Sequence, residues 1–225
     1  YNNSIKYYFE ALKILEMHPE VNKPKKEDIE QEIKLVEILK TTIEGNLENA
    51  LHECDLFLKN NPKKIGAIEL KANILYTLQK YEDAILYYHE IIGFEDKNIK
   101  LESVYYKIGI CYFHLNDLEA SREYLKKALN ENPQNGKIYF TLGEVEFKQG
   151  LFKEAAASLE IGEKLIPKEI NSLLYLIESY RHLCLNKKII PKAEKIIKSG
   201  ERQIFKFLIE WLKKIEDKHL KNQIF

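Results

Sequence analysis

The sequence predicts an all-α protein, a solenoid of antiparallel helix pairs, on three observations. The first is a repeat: Tyr105, Ile108, Gly109, Tyr112, Ser121, Leu125, Ala128 and Pro133 recur 34 residues on as Tyr139, Leu142, Gly143, Glu146, Ala155, Leu159, Gly162 and Pro167. A fixed period of that length marks units too small to bury their own apolar faces, which must therefore stack on neighbours. The second is that apolar residues recur at helical intervals throughout, while no stretch alternates apolar and polar as a half-buried strand does. The third is punctuation, since only 6 prolines and 9 glycines occur and most fall where helices must end.

Each element follows in chain order. Residues 1–20 hold one helix, with Ile5, Tyr8, Leu12 and Leu15 on one side and Pro19 closing it, the remaining half of a preceding unit. A first unit, 31–64, places Leu35, Ile38 and Leu39 inward on its first helix and Gly45, Leu47, Ala50, Cys54, Phe57 and Pro62 through its second half. A second, 65–98, carries Ile68, Ala72, Leu75, Tyr81, Ala84, Tyr88 and Ile91, with Asp96 in place of the closing proline and three extra residues around 99–101. In the third, 102–135, Tyr105, Ile108, Gly109 and Tyr112 fall at i, i+3, i+4 and i+7, one face of a helix. Asn116 and Asp117 break it, Asp117 caps the second helix, and Pro133 stops that helix. The fourth, 136–169, repeats this pattern. The fifth, 170–200, has Leu173, Leu176, Ile177 and Tyr180 inward, a loop about three residues longer than the usual period allows, and Pro191 in the first turn of its second helix. The segment 201–225 supplies a capping helix through Ile204, Leu208, Trp211, Leu212 and Ile215, covering the last open face of the stack.

The order large, large, small, large in one helix and small, large, small, proline in the next resembles the tetratricopeptide repeat family. The resemblance covers almost the whole chain, most closely from 65 to 169, and implies a right-handed superhelix over 31–200 whose first helices line a concave groove. It implies a non-catalytic scaffold for protein–protein interaction, in which repeat positions two, five, nine, twelve and thirteen face the partner. Carried onto this chain, those positions give Glu69, Asn73 and Tyr76, then Tyr106, Ile110 and Phe113, then Phe140, Glu144 and Phe147, and in the fifth unit Asn171, Leu174, Glu178, Arg181 and His182. Aromatic side chains in a concave surface anchor partners, so the expected ligand is an apolar or amphipathic peptide segment whose register is fixed by Glu69, Asn73, Glu144 and Lys148. The competing reading is that these rings pack on one another or on a terminal helix. Family members that hold acidic chaperone tails use cations and asparagines at positions occupied here by Leu35, Leu39, Leu70, Ser103 and Lys107. Only Lys107 is charged, so no carboxylate clamp is expected.

Composition narrows the function classes. Lys plus Arg and Asp plus Glu both number 35, which gives no bulk field toward nucleic acid or an anionic membrane. Lysine clusters at Lys23, Lys25 and Lys26, at Lys63 and Lys64, and at Lys187 and Lys188 read as solvated loops. No apolar run approaches the roughly 18 residues of a membrane span, so a soluble chain without membrane insertion is expected. The three cysteines, Cys54, Cys111 and Cys184, read as buried free thiols in a reducing, cytoplasmic compartment. The chain opens on Tyr1 rather than methionine and so reads as a piece of a longer or processed protein, which leaves a removed leader or anchor open. Asn2, Asn3 and Ser4 fit a glycosylation triplet.

No nucleophile with its base and charge-stabilising donors is recognisable. Gly136 and Lys137 lack the flanks of a phosphate loop. Cys111 with His114, and His182 with Cys184, lack the close pairwise spacing of a structural zinc, so no metal or cofactor is expected. The expected partner is another protein or peptide. Two alternatives remain: self-association through the Trp211 helix or the N-terminal partial repeat, and a regulatory region of a longer enzyme.

Overall fold

The computed structural model describes residues 23–200 apart from 95, 97 and 168, together with 206, 209 and 210. The described residues hold helices and no strand: α1 (Lys23–Ile43), α2 (Leu47–Asn60), α3 (Ile65–Thr77), α4 (Tyr81–Ile92), α5 (Leu101–His114), α6 (Leu118–Glu131), α7 (Gly136–Lys148), α8 (Phe152–Leu165), α9 (Leu173–His182) and α10 (Asn186–Ser199). The chain divides between Ile99 and Lys100 into two compact units. The first contains the hairpins α1/α2 and α3/α4; the second contains α5/α6, α7/α8 and α9/α10.

Every hairpin turns through one residue in the left-handed backbone region: Gly45 (φ 85°), Gln79 (61°), Asn116 (60°), Gly150 (78°) and Cys184 (57°). These turn residues are 34 apart within each unit, and three extra residues fall between Gln79 and Asn116, in the connection that the sequence marked as longer. The fifth hairpin departs from the sequence reading. Cys184 follows Gly150 at the ordinary interval, so its loop is no longer than the others, and the residues assigned to that loop form the first turn of α10. Pro191 accordingly lies inside α10, past its first turn. A proline has no amide proton and so marks a helix start from sequence; here the helix forgoes that one bond and runs through.

Two lysine clusters also move from loop to helix. Lys23, Lys25 and Lys26 lie at the start of α1, which begins ahead of the unit boundary placed at 31, and Lys187 and Lys188 open α10. Lys63 and Lys64 lie in the turn between α2 and α3. The helix placed at 1–20, the Asn2 to Ser4 triplet and the Trp211 side of the cap at 201–225 lie outside the described residues.

A non-glycine residue in the left-handed region costs roughly 1 kcal/mol. Gln79→Gly is therefore expected to raise stability by about 0.5–1 kcal/mol, and Gln79→Val to lower it. Midpoints of urea unfolding followed by circular dichroism measure both.

Small residues set the spacing of the hairpins in the second unit. A Cβ on Gly143 of α7 would lie 2.5 Å from Leu159 Cγ on α8, and one on Gly109 of α5 would lie 3.0 Å from Leu125 Cγ on α6. Around them Leu125, Ala128, Ile138, Leu142 and Val145 form one buried cluster, and Leu159, Leu173, Leu176, Ile177, Tyr180 and Ile196 belong to another. Leu35, Ile38, Ala50, Cys54, Phe57, Ala67, Leu70 and Ile74 fill the first unit. Polar caps fix helix starts: Asp117 Oδ1 accepts from the Ala120 amide at 3.0 Å, and Asn135 Oδ1 from the Lys137 amide at 3.1 Å.

Two of the three thiols are buried as the sequence suggested, whereas Cys184 is exposed on its loop, because the left-handed turn points away from the helix pair. Burial pushes the Cys54 thiol up to about 11, aided by the Asp55 charge, and its Sγ donates to the Ala67 carbonyl at 3.3 Å. Burial raises Cys111 to about 12. Thiolate is the reactive form, so the folded protein is expected to show fast labelling by a thiol reagent at Cys184 alone among the three, with Cys54 and Cys111 reacting only after denaturant is added. Peptide mapping of the labelled sites checks this.

Candidate functional site

Within the second unit α5, α7 and α9 are the first helices of successive hairpins, and α7 touches both of the others. On α5, Tyr106, Ile110 and Phe113 recur at i, i+4 and i+7 and are half-buried, so one stripe of the helix is presented at the surface. On α7 the matching stripe carries Glu144, Phe147 and Lys148, and on α9 it carries Tyr175, Glu178, Arg181 and His182.

Polar bonds tie these side chains across helices. The Tyr106 hydroxyl lies 3.4 Å from Thr141 Oγ1. Lys148 Nζ sits 4.0 Å above the centre of the Phe113 ring and 3.8 Å from Glu144 Oε1. The Tyr175 hydroxyl donates to Glu144 Oε1 at 2.7 Å. Burial first, and then the carboxylate, hold the Tyr175 phenol well above its ordinary range, so it remains a donor at neutral pH.

At the loop end of the same face an aromatic group closes around Phe147. Its ring meets Phe152 and Tyr175 edge-on at 5.5 Å each, and His182 at 6.2 Å. His182 stacks flat on Phe152, with centroids 3.8 Å apart. Arg181 Nε donates to Glu178 Oε2 at 2.7 Å, and Arg181 Nη2 stands 3.1 Å from His182 Nε2. Lys148, Arg181 and His182 are exposed, so the ring cluster is bordered by cationic and imidazole groups in water.

Of the residues singled out from sequence, Tyr106, Ile110, Phe113, Glu144 and Phe147 lie on these adjoining first helices. Phe140 does not join them. It is buried with Ala156, Leu159 and Leu173, and its ring occupies the space left by the missing side chain of Gly162, where a Cβ would come within 2.8 Å of it. Glu69, Asn73 and Tyr76 belong to α3 of the first unit. There Asn73 Oδ1 accepts from the Tyr88 hydroxyl at 2.7 Å and Tyr76 meets Tyr81 edge-on at 5.7 Å, so both also serve their own hairpin.

Sequence reasoning missed Tyr175 and Phe152. Tyr175 sits one position away from the groove set carried over from the resemblance. Phe152 opens a second helix, where Leu47, Tyr81 and Leu118 stand in the first three hairpins and Asn186 in the fifth; the bulky residue packs back on the end of the first helix, as the Tyr76 and Phe147 contacts illustrate. That recurrence was the available signal.

Among the described residues no group of three or more His, Cys, Asp or Glu side chains is arranged to hold a metal ion, and no helix is long and apolar enough to cross a membrane.

Comparison with known proteins agrees with this architecture. The tetratricopeptide repeat family matches residues 103–135. Among curated proteins, the BBSome complex member BBS4 of Xenopus tropicalis is 26% identical over 138 residues, 61% of this chain and 26% of that protein. The Hsp70/Hsp90 co-chaperone CNS1 of Saccharomyces cerevisiae is 26% identical over 135 residues, 59% of this chain and 32% of that protein. The chain thus spans about a quarter to a third of the length of the curated relatives it matches. Among solved structures, MamA aligns over 73% of this chain and 95% of its own with a TM-score of 0.65 at 18% identity. YrrB, described as a TPR protein with an unusual peptide-binding site, aligns over 88% of this chain and 96% of its own with a TM-score of 0.65 at 16% identity. These likenesses establish the fold, a tetratricopeptide-type arrangement of helical hairpins.

Proposed function

We propose that this chain, a protein of tetratricopeptide repeats, is a non-catalytic scaffold that holds an apolar or amphipathic segment of another protein against the α5, α7 and α9 face of its second unit. The observation that carries the reading is the immobilised aromatic set: Phe113 lies under Lys148, and Phe147 is held between Phe152, Tyr175 and His182. Rings fixed before a partner arrives lose little rotamer freedom on binding, and half-buried aromatics gain from being covered. Exposed Lys148, Arg181 and His182 then offer polar contacts at the edge of that apolar strip. Tyr106, Ile110, Phe113, Glu144 and Phe147 are the contact residues of this proposal, and Phe140 is omitted because it is core.

The partner classes in the relatives' names, a multi-protein complex, a co-chaperone and a peptide-binding protein, agree with a protein ligand. The chaperone partner of CNS1 is not carried over. Leu35 and Leu70, at the positions where the family's clamp needs charged donors, are buried in the first unit's core.

Selection of a displayed random peptide library on the purified chain tests the reading. Selected peptides are expected to carry apolar anchors at regular spacing, and Phe113→Ala combined with Lys148→Glu is expected to weaken them by about tenfold or more. Leu86→Ser, on the exposed side of α4, serves as a control that leaves binding unchanged. A library that yields no specific binder, or binders indifferent to the Phe113 and Lys148 changes, overturns it.

A further inference from the structure

The opposite kind of helix, the second of each hairpin, carries a separate feature. A crevice of about 540 Å³ lies between α8 and α10 in the second unit. We propose that it is a second binding site, taking an acidic peptide segment that bears an apolar side chain. This site stands independently of the α5, α7 and α9 face.

Charge supplies the first reason. Lys164, Lys187, Lys188, Lys192 and Lys195 line the crevice against only Glu160 and Glu163, an excess of three positive charges in one recess of a chain whose total is neutral. The two carboxylates hold the lysines in place: Lys188 Nζ lies 2.8 Å from Glu160 Oε1, and Lys192 and Lys195 lie 2.5 and 2.9 Å from the two oxygens of Glu163. The Tyr180 hydroxyl also donates to Glu160 at 2.7 Å. The lysine hydrogen bonds keep the Glu160 carboxyl below the usual carboxylate range, and those at Glu163 do so against its burial, so both acids stay ionised and keep their lysines fixed. Lys164 and Lys187 form no such ion pair among the described residues.

Shape supplies the second. Lys188, Lys192 and Lys195 fall at i, i+4 and i+7 of α10, a line of ammonium groups about 10 Å long at the helical rise. A row of that length suits successive carboxylates on a chain better than one compact anion. The flanks of Pro167 and Pro191, above the buried ring of Tyr180, give the recess an apolar wall for one side chain of the same segment. Lys192 and Lys195 are only 24% and 32% exposed, so part of this charge lies between the two helices, which favours an inserted peptide over a flat lipid surface.

The test uses the whole chain and a fluorescent peptide of alternating glutamate and leucine, read by anisotropy. Binding is expected at low ionic strength and is expected to weaken as salt rises toward about 0.15 M. Lys164→Glu with Lys187→Glu breaks none of the described ion pairs, so circular dichroism should show an unchanged fold while affinity falls about tenfold or more. Binding that persists in the Phe113→Ala, Lys148→Glu variant and is lost when Lys164→Glu and Lys187→Glu are added belongs to this site, which separates failure of this site from failure of the other face. Absence of binding, equal binding by the Lys164 and Lys187 variant, or binding of the chain to phosphatidylserine vesicles but not to the peptide would overturn the proposal.

Discussion

Replacing Arg122 by leucine is expected to destabilise the protein by about 2–3 kcal/mol, because it strands a buried carboxylate. Glu146 of α7 has a side chain only 3% accessible, and Arg122 of α6 places Nε 3.3 Å from its Oε1. Ser158 of α8 donates to Oε2 at 2.7 Å. One residue therefore fastens three helices, and with the guanidinium gone a single hydroxyl must solvate the anion. The arginine is itself 29% accessible, which keeps the expected loss below the range for a fully buried pair. Adding Glu146→Leu to Arg122→Leu is expected to restore most of the stability, since the pair is then replaced by apolar groups. Urea unfolding of the single and double variants decides the matter, and a single variant within about 0.5 kcal/mol of wild type would mean that the pair is dispensable.

The same cluster explains a departure from the repeat. In the third hairpin the equivalent positions hold Tyr112 and Tyr124, which stack at 5.5 Å with planes 22° apart. In the fourth hairpin Glu146 and Ser158 take both places. The two substitutions match each other: a serine leaves room for the carboxylate and supplies its hydrogen bond.

Gly143→Ala is the second large effect, with an expected loss of about 2 kcal/mol. The new methyl would start 2.5 Å from Leu159 Cγ, 2.8 Å from Cδ2 and 3.3 Å from the Ala155 carbonyl oxygen. Leu159 is buried to 1% exposure and cannot swing into solvent, so α7 and α8 must separate. Overpacking of this kind costs about 1–3 kcal/mol, against which alanine returns up to about 1 kcal/mol of helix propensity. Gly109→Ala, whose nearest contact is Leu125 Cγ at 3.0 Å, needs a shift of only a few tenths of an ångström and is expected to be close to neutral. Equal losses at the two glycines, read from the same unfolding curves, would contradict this packing.

How far the fold was legible depends on whether a residue's role depends on local chemistry or on a distant partner. Gly109, Gly143, Leu125 and Leu159 recur at a fixed interval because the third and fourth hairpins make the same close approach, so the packing there could be read from their spacing. The turns were half legible. Gly45 and Gly150 advertise a left-handed residue, whereas Gln79, Asn116 and Cys184 occupy the same backbone region with ordinary side chains. Aligning Cys184 with Gly150 would have shown that the fifth hairpin has no longer loop, and Pro191 concealed it.

The candidate site was less legible, since the groove positions record which way a side chain leaves its helix but not what it meets there. Phe140 leaves α7 toward a gap that exists only because residue 162 is glycine on another helix. Phe152 and Tyr175 join the ring cluster through contacts with Phe147 that no spacing within one helix encodes.

The proposed peptide-binding face is tested most directly by amide chemical-shift mapping of the isotope-labelled chain titrated with a peptide from the library selection. Shifts concentrated on the stripes of α5, α7 and α9 that carry Phe113, Phe147 and Lys148 are expected. Shifts confined to other helices, with those stripes unmoved at saturation, would contradict it.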